Sequence, residues 1–139
     1  MRHCRRLAAS VGLVAGAVAF LSVVPTAPSD AAPKPQVSVE VADIATLGSD
    51  GQTVSIEVTA SCARPWRVLE AFVTISQPQA SAMGGIRLSC TGRSQTFAVT
   101  VTSFGLAFEP GDAQAGAFVL IERRGETRQA QDSEVIQLL

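Results

Sequence analysis

The chain has 139 residues, of which 47% are hydrophobic and 17% are charged, and its formal net charge is −1 at pH 7. Its only histidine, His3, lies in a segment that we expect to be removed, which excludes catalytic sites that need a Ser-His-Asp or Cys-His arrangement. The near-neutral charge, with arginines interleaved with glutamates, argues against a nucleic-acid-binding protein. The length is that of a single domain.

Residues 1–31 predict a secretory signal peptide. A positive start containing Arg5-Arg6 precedes an uncharged apolar run over residues 7–24. The small-residue pattern Ser-Asp-Ala at 29–31 then matches the site that signal peptidase recognises. We expect cleavage after Ala31 and release to the cell surface or the medium. An uncleaved membrane anchor and export by the twin-arginine route are the alternatives.

The remaining chain has eight cationic and eleven acidic residues, hence a net charge of −3, and it contains no His, Tyr or Asn. Residues 32–36 are predicted to be a flexible lead-in and residues 37–139 a single β domain. No phosphate-binding glycine loop or histidine-containing metal motif is present. We therefore predict no cofactor, no metal and no membrane span after cleavage of the leader.

Apolar residues alternate with polar ones along most of this domain, which is typical of half-buried β-strands. The segment 78–85 is rich in small residues and is predicted to be a loop, and residues 86–90 to pair as a hairpin with the strand that follows. The final segment, 127–138, is so polar that we place it at a sheet edge. The residues predicted to face inward are Val37, Val39, Val41, Val54, Ile56, Val58, Ala60, Cys62, Leu69, Ala71, Val73, Ile75, Ile86, Leu88, Cys90, Phe97, Val99, Val101, Ala113, Ala115, Ala117, Val119 and Ile121.

Seven short strands without an amphipathic helix predict an antiparallel β-sandwich of the immunoglobulin or fibronectin type, with a small β-barrel as the alternative. A signal peptide, a Val-rich strand, a strand ending in Cys62, the sequence Cys-Thr-Gly at 90–92 and Phe-Glu-Pro-Gly-Asp-Ala at 108–113 follow one another. This layout resembles that of small secreted actinobacterial proteins of unknown function with immunoglobulin-like folds. The resemblance implies the fold class. It implies no immune-receptor function, because Trp66 and Cys90 lie elsewhere than in true immunoglobulin domains.

Cys62 and Cys90 are the only cysteines after the leader, and both are phased towards the interior. In an exported domain such a pair is expected to form a disulfide. A redox or metal-binding role is the alternative, but neither the C-x-x-C spacing nor an activating helix N-terminus is present. The sequence therefore predicts a structural crosslink.

Three groups of residues are candidates for binding. Arg64, Trp66 and Arg67 form a loop of interface-type residues, although we interpret Trp66 mainly as a cap on the core. Phe104 and Phe108 lie in a long irregular segment, where they either plug one end of the fold or form an apolar lip. Phe72 and Phe118, together with Val68 and Leu120, are predicted to face outward as an apolar patch.

These features predict a secreted, non-enzymatic binding or structural module whose partner is an unknown protein. The first alternative is a carrier of a small apolar ligand, since apoproteins of the neocarzinostatin kind are similar in size, export and sandwich class. The second is an enzyme that uses only carboxylates, for which Glu40, Glu57 and Glu70 are the candidates. All three glutamates are predicted at outward strand positions, where a solvated charge is the ordinary interpretation.

Overall fold

The structure is a computed structural model, and it describes residues 33–139. The predicted leader, its cleavage site and the first residue of the lead-in lie outside the described residues. Residues 33–36 are exposed and belong to no strand. Seven strands follow: β1 (Val37–Leu47), β2 (Thr53–Cys62), β3 (Arg67–Gln77), β4 (Ala80–Gly85), β5 (Gln95–Thr102), β6 (Gly111–Arg123) and β7 (Glu126–Leu138).

The seven strands form one mixed sheet in the order β4-β3-β6-β7-β1-β2-β5. All neighbours are antiparallel except β1 and β7, whose pairing is parallel and limited to Ile44–Gln137 and Ala45–Leu138. The two outer strands approach each other, because an antiparallel bridge joins Ala82 to Ser103. The sheet is therefore nearly barrel-shaped. The all-β class is confirmed and the barrel alternative fits, whereas the purely antiparallel sandwich is not confirmed.

The hydrophobic core lies between the inward faces of the strands. The alternation predicted for β2 and β6 is confirmed, since every predicted inward residue of these two strands is buried. Small residues on β4 allow this strand to approach β5 closely, as a Cβ atom on Gly84 would lie 2.7 Å from Cγ1 of Val101. Ile136 and Leu138, at the end of β7, complete the core.

The phase of β3 changes at a β-bulge, so the prediction for its first residues is wrong. The register against β6 shifts between Val68 and Glu70. As a result Val68 packs against the core, whereas Leu69 is 49% exposed. Beyond the bulge, Val73 and Ile75 are fully buried, as predicted. A bulge inserts one unpaired residue and reverses the side-chain alternation.

The prediction for residues 78–94 is also wrong in part. Residues 80–85 form β4, which is paired with β3, rather than a loop. The following segment, 86–94, contains no strand, although Ile86 and Leu88 are buried as their spacing predicted. The partner of β5 is β2 and not this segment.

The polar strand β7 lies inside the sheet and not at its edge, because β6 pairs with it along its whole length and β1 pairs with its last residues. The hairpin between β6 and β7 turns at Arg124 and Gly125, which have φ angles of 52° and 82°. Two successive residues with positive φ are typical of the tight hairpin turn that matches the strand twist.

Cys62 and Cys90 form the predicted disulfide, with Cα atoms 4.4 Å apart. Cys62 ends β2 and is fully buried, while Cys90 belongs to the strandless segment 86–94. The backbone N–H of Gly92 also donates to the carbonyl of Cys62 at 2.9 Å. The crosslink thus attaches a segment without strand pairing to the central sheet.

Loss of the disulfide should lower the free energy of unfolding by about 3–4 kcal/mol, because the bond closes a loop with a sequence separation of 28 residues. Denaturant titration of the oxidised protein and of the Cys62→Ala/Cys90→Ala variant measures this difference. Equal midpoints and slopes for the two proteins would contradict the prediction.

Candidate functional site

The strands define two ends of the fold. We name the end at which β2 finishes and β1 begins the Cys62 end, since Val37 pairs with Cys62 there. The opposite end, named the Phe108 end, holds the connections 48–52, 78–79 and 103–110. The candidate residues fall on three separate surfaces: the Cys62 end, the Phe108 end and the outer face of β3 and β6. The structure does not bring them together into one site.

Trp66, at the Cys62 end, is buried with 5% of its surface exposed. The guanidinium of Arg123 lies over the indole at 4.9 Å from the ring centroid, a favourable cation–π arrangement. The indole Nε1–H has no hydrogen-bond partner among the described residues. Trp66 is thus a core residue covered by a cation, which leaves little of it for a partner to contact.

Arg64 and Arg67 are both exposed. Arg67 Nε donates to Oε2 of Glu122 at 2.5 Å, and the backbone N–H of Gly125 donates to Oε1 of the same carboxylate at 2.7 Å. The bond from Gly125, followed by that from Arg67, holds the pKa of Glu122 below its ordinary value. Glu122 thereby fixes Arg67 against the hairpin turn, while Arg64 forms no ion pair within residues 33–139.

Phe104 and Phe108, at the Phe108 end, have different environments. Phe108 is 3% exposed and plugs the fold, and its backbone N–H donates to the carbonyl of Gly51 at 2.7 Å. Phe104 is 73% exposed and Leu106 is 68% exposed, so these two form an apolar lip. A surface depression of about 410 Å³ includes Phe108 but not Phe104. The two phenylalanines therefore do not share this depression.

Phe72 and Phe118 are neighbours on the outer face of β3 and β6, with ring centroids 5.4 Å apart and an interplanar angle of 34°. Both are half-buried, as is Leu120 beside them. Val68 is the member of the predicted patch that does not belong to it, because the bulge turns this residue towards the core.

Next to the aromatic pair, the glycine at position 116 leaves an open groove of about 340 Å³, which we name the Phe118 groove. A Cβ atom on Gly116 would lie 3.3 Å from Oγ1 of Thr74, so a larger residue would begin to fill the space. The groove is lined by Phe72, Thr74, Gly116, Ala117, Phe118, Gln131, Asp132 and Ser133.

The polar side of the Phe118 groove was not recognised from the sequence. Gln131 and Ser133 lie opposite Phe118 and Gly116 in the register of the β6–β7 hairpin. Their position depends on the hairpin turn at Arg124 and Gly125, and counting outward from the glycine of this turn would have located them. The groove therefore combines two aromatic rings with uncharged hydrogen-bonding groups and one carboxylate, that of Asp132.

Within residues 33–139 no group of three or more His, Cys, Asp or Glu side chains is placed to hold a metal ion. Glu40, Glu57 and Glu70 are all exposed. This same part of the chain has no helix with the length and hydrophobicity needed to cross a membrane. Comparison with protein-family models and with curated proteins finds no match to this chain.

Replacement of Trp66 tests its role in the core. Trp66→Ala should destabilise the fold by about 3–5 kcal/mol, because it leaves a cavity. Trp66→Phe should cost much less, since it keeps a ring beneath Arg123 and removes a buried N–H that has no partner. Thermal unfolding followed by circular dichroism compares the two variants. If both variants were as stable as wild type, the indole would not be part of the core.

The lowered pKa of Glu122 predicts a pH dependence. A carboxylate with a depressed folded-state pKa stabilises the fold above its unfolded value, for which 4.5 is the ordinary figure, and this contribution disappears as the pH falls through the folded-state pKa. Wild type should therefore be more stable than Glu122→Gln at neutral pH, and the difference should close in acid. Denaturant titrations of both proteins from neutral to acidic pH measure this difference in the free energy of unfolding. A difference that is independent of pH would contradict the assignment.

Proposed function

We propose that this chain is an exported, non-enzymatic binding module that takes its partner in the Phe118 groove. The observation that carries the proposal is the tilted pair Phe72–Phe118 at the edge of an open groove on the outer face of the sheet. Outward aromatic residues on the solvent side of a sheet contribute little to the core. Contiguous apolar surface of this kind marks interaction sites.

The composition of the groove supports a specific partner. Aromatic side chains provide a large contact area, and Gln131, Ser133 and Thr74 offer uncharged hydrogen-bonding groups. The carboxylate of Asp132 also lines the groove, and its two oxygens already accept hydrogen bonds from backbone N–H groups. The strands that hold these residues are paired along their length, so the groove is rigid before binding. A preformed site loses less conformational entropy on association than a flexible loop.

The proposed fold and location agree with this function. Division of the sheet at its short parallel pair gives a layer of β4-β3-β6-β7 and a layer of β1-β2-β5. This arrangement supports the immunoglobulin/fibronectin-like sandwich that the resemblance to small secreted actinobacterial proteins implies. The disulfide and the predicted leader support export, because such bonds persist in oxidising compartments.

A carrier of a small apolar ligand is the second candidate, and the same groove favours it. A volume of about 340 Å³ lies at the lower end of the range for small-molecule sites. At the Phe108 end, Phe108 is buried, and buried side chains form the core beneath it.

The test is capture from the surface and medium fractions of the producing cells, with the immobilised chain and its Phe118→Ser variant. Ile44→Ser is the matched control, because Ile44 is an apolar residue on β1 that is 57% exposed and lies outside the groove. We expect one protein to be retained by wild type and Ile44→Ser and to be lost with Phe118→Ser.

Solvent extraction of the purified protein, followed by mass spectrometry, distinguishes the carrier. A small apolar compound that copurifies with wild type but not with Phe118→Ser would favour the carrier over the protein-binding module. Identical captured material and identical extracts from wild type and Phe118→Ser would remove the groove from consideration. Circular dichroism verifies that each variant is folded.

A further inference from the structure

The cationic residues of this chain are concentrated at the Cys62 end. All eight that occur in residues 33–139 lie on the four segments that form or lead to this end: 33–36, 63–67, 86–94 and 122–128. The same segments contain only two acidic residues, Glu122 and Glu126. The cations are Lys34, Arg64, Arg67, Arg87, Arg93, Arg123, Arg124 and Arg128.

These charges face solvent. Every one of the eight is exposed except Arg123, which is half-buried over Trp66. Glu122 pairs with Arg67, and Glu126 pairs with Arg128 and Arg123. Within the part of the chain that the structure describes, the other five cations form no ion pair. These five are Lys34, Arg64, Arg87, Arg93 and Arg124.

Backbone and side-chain contacts hold the four segments together. Ala63 donates its N–H to the carbonyl of Gln36 at 2.8 Å, and Lys34 Nζ lies 3.4 Å from the carbonyl of Gly92. Cys62 is joined to the 86–94 segment by the disulfide, and Arg123 covers Trp66 from the neighbouring hairpin. The four segments that contain the unpaired cations are thus held at or next to the same end of the fold.

The rest of the described chain has nine acidic residues and no cationic ones. The fold therefore separates an excess of positive charge at the Cys62 end from a negative remainder. Like charges gathered in this way repel each other, and an even distribution would keep the protein equally soluble. Clustering of like charges that costs stability is expected where the charges serve a function.

We propose that the Cys62 end binds an extracellular polyanionic polymer with phosphodiester groups. Seven of the eight cations are arginines, whose planar forks bind phosphate oxygens in pairs and are weakly hydrated. Their placement on several segments suits an extended chain of charges more than a single small anion. This site is separate from the Phe118 groove and does not depend on its function.

Two other polyanionic partners fit less well. Binding to single-stranded nucleic acid relies on aromatic side chains that stack with bases. Trp66 is buried beneath Arg123, and Phe97, which lines a depression with Arg87, is half-buried. Attachment to an anionic membrane is strengthened by apolar side chains that insert beside the cations. The most exposed phenylalanine, Phe104, lies at the opposite end of the fold.

The test measures binding of the purified full chain to soluble poly(glycerol phosphate) at several salt concentrations. The variant Arg64→Gln/Arg93→Gln/Arg124→Gln removes three cations that form no ion pair, so the fold should persist. Its affinity should fall by about tenfold or more. The negative slope of log affinity against log salt should become shallower by about 2–3.

The control is the variant Asp50→Asn/Glu109→Gln/Glu134→Gln, which alters three exposed acidic residues away from the Cys62 end. It shifts the net charge by the same amount as the triple arginine variant, in the opposite direction. This control and Phe118→Ser should both bind as tightly as wild type or more tightly.

Failure of wild type to bind poly(glycerol phosphate), or equal binding by the triple arginine variant, would overturn the proposal. A single-stranded oligonucleotide with the same number of phosphates and phosphatidylglycerol vesicles are the competing probes, and tighter, arginine-dependent binding to either would also overturn it. Light scattering without polymer detects head-to-tail association of copies. Association that the triple arginine variant abolishes would assign these cations to self-assembly instead.

Discussion

The whole fold depends on the pairing of β1 with a strand on each side. β1 pairs with β2 before and after a register shift between Val41 and Ala45, and near its end it also pairs with β7 along its other edge. At the shift, the N–H of Val41 donates to Oδ2 of Asp132 on β7 at 2.8 Å. A side-chain carboxylate thus replaces a backbone carbonyl as the acceptor. Without it, a backbone donor at the junction would be left unpaired, at a cost of about 1–3 kcal/mol.

This junction explains why binding is expected on the outside of the fold. By joining β7 to β1, it curls the sheet until β4 reaches the end of β5, where Ala82 pairs with Ser103. The small inward residues of β4 and β6 then bring opposing strands close together, and the larger side chains of β2 fill the remaining space. Side chains thus fill the interior between the strands. The outer face of β3-β6-β7 and the two ends are the surfaces that remain.

Strands with uninterrupted alternation were predictable, and those whose position depends on neighbours were not. β2 and β6 have a two-residue period over most of their length, and their buried residues follow it with the exception of Ser61. β4 is made of Ala, Ser, Met and Gly, a composition typical of loops, and only the close approach to β5 explains why these residues form a strand. The polarity of β7 suggested an edge. Most of β7 is exposed on both faces, which explains its polarity, and only Ile136 and Leu138 at its end are fully buried. Its place inside the sheet follows from pairing with β6 and β1.

Among the candidate sites, too, the features that depend on distant parts of the chain were not predictable from the sequence. The disulfide was predictable because the two cysteines have no other chemistry open to them in an exported domain. Trp66 was correctly interpreted as a core residue, but its cover, Arg123, comes from a distant hairpin and had no signal in the sequence. Phe104 and Phe108 are close in sequence and yet have opposite exposures. This difference in exposure follows from the backbone hydrogen bond that Phe108 donates to Gly51. The bond joins two loops, and no periodicity in the sequence encodes it.

The charge of the Cys62 end shows how stability and binding are linked in this fold. Arg123-Arg124 looked too mixed with glutamates to form a basic patch when considered as a linear sequence. In the folded chain, Glu122 is paired with Arg67 of β3 and Glu126 with arginines of its own hairpin, and further cations are contributed by three other segments. One of these, 86–94, has no strand pairing and is held by Ile86, Leu88 and the disulfide. The crosslink therefore positions Arg87 and Arg93 in the proposed polymer site, in addition to stabilising the core.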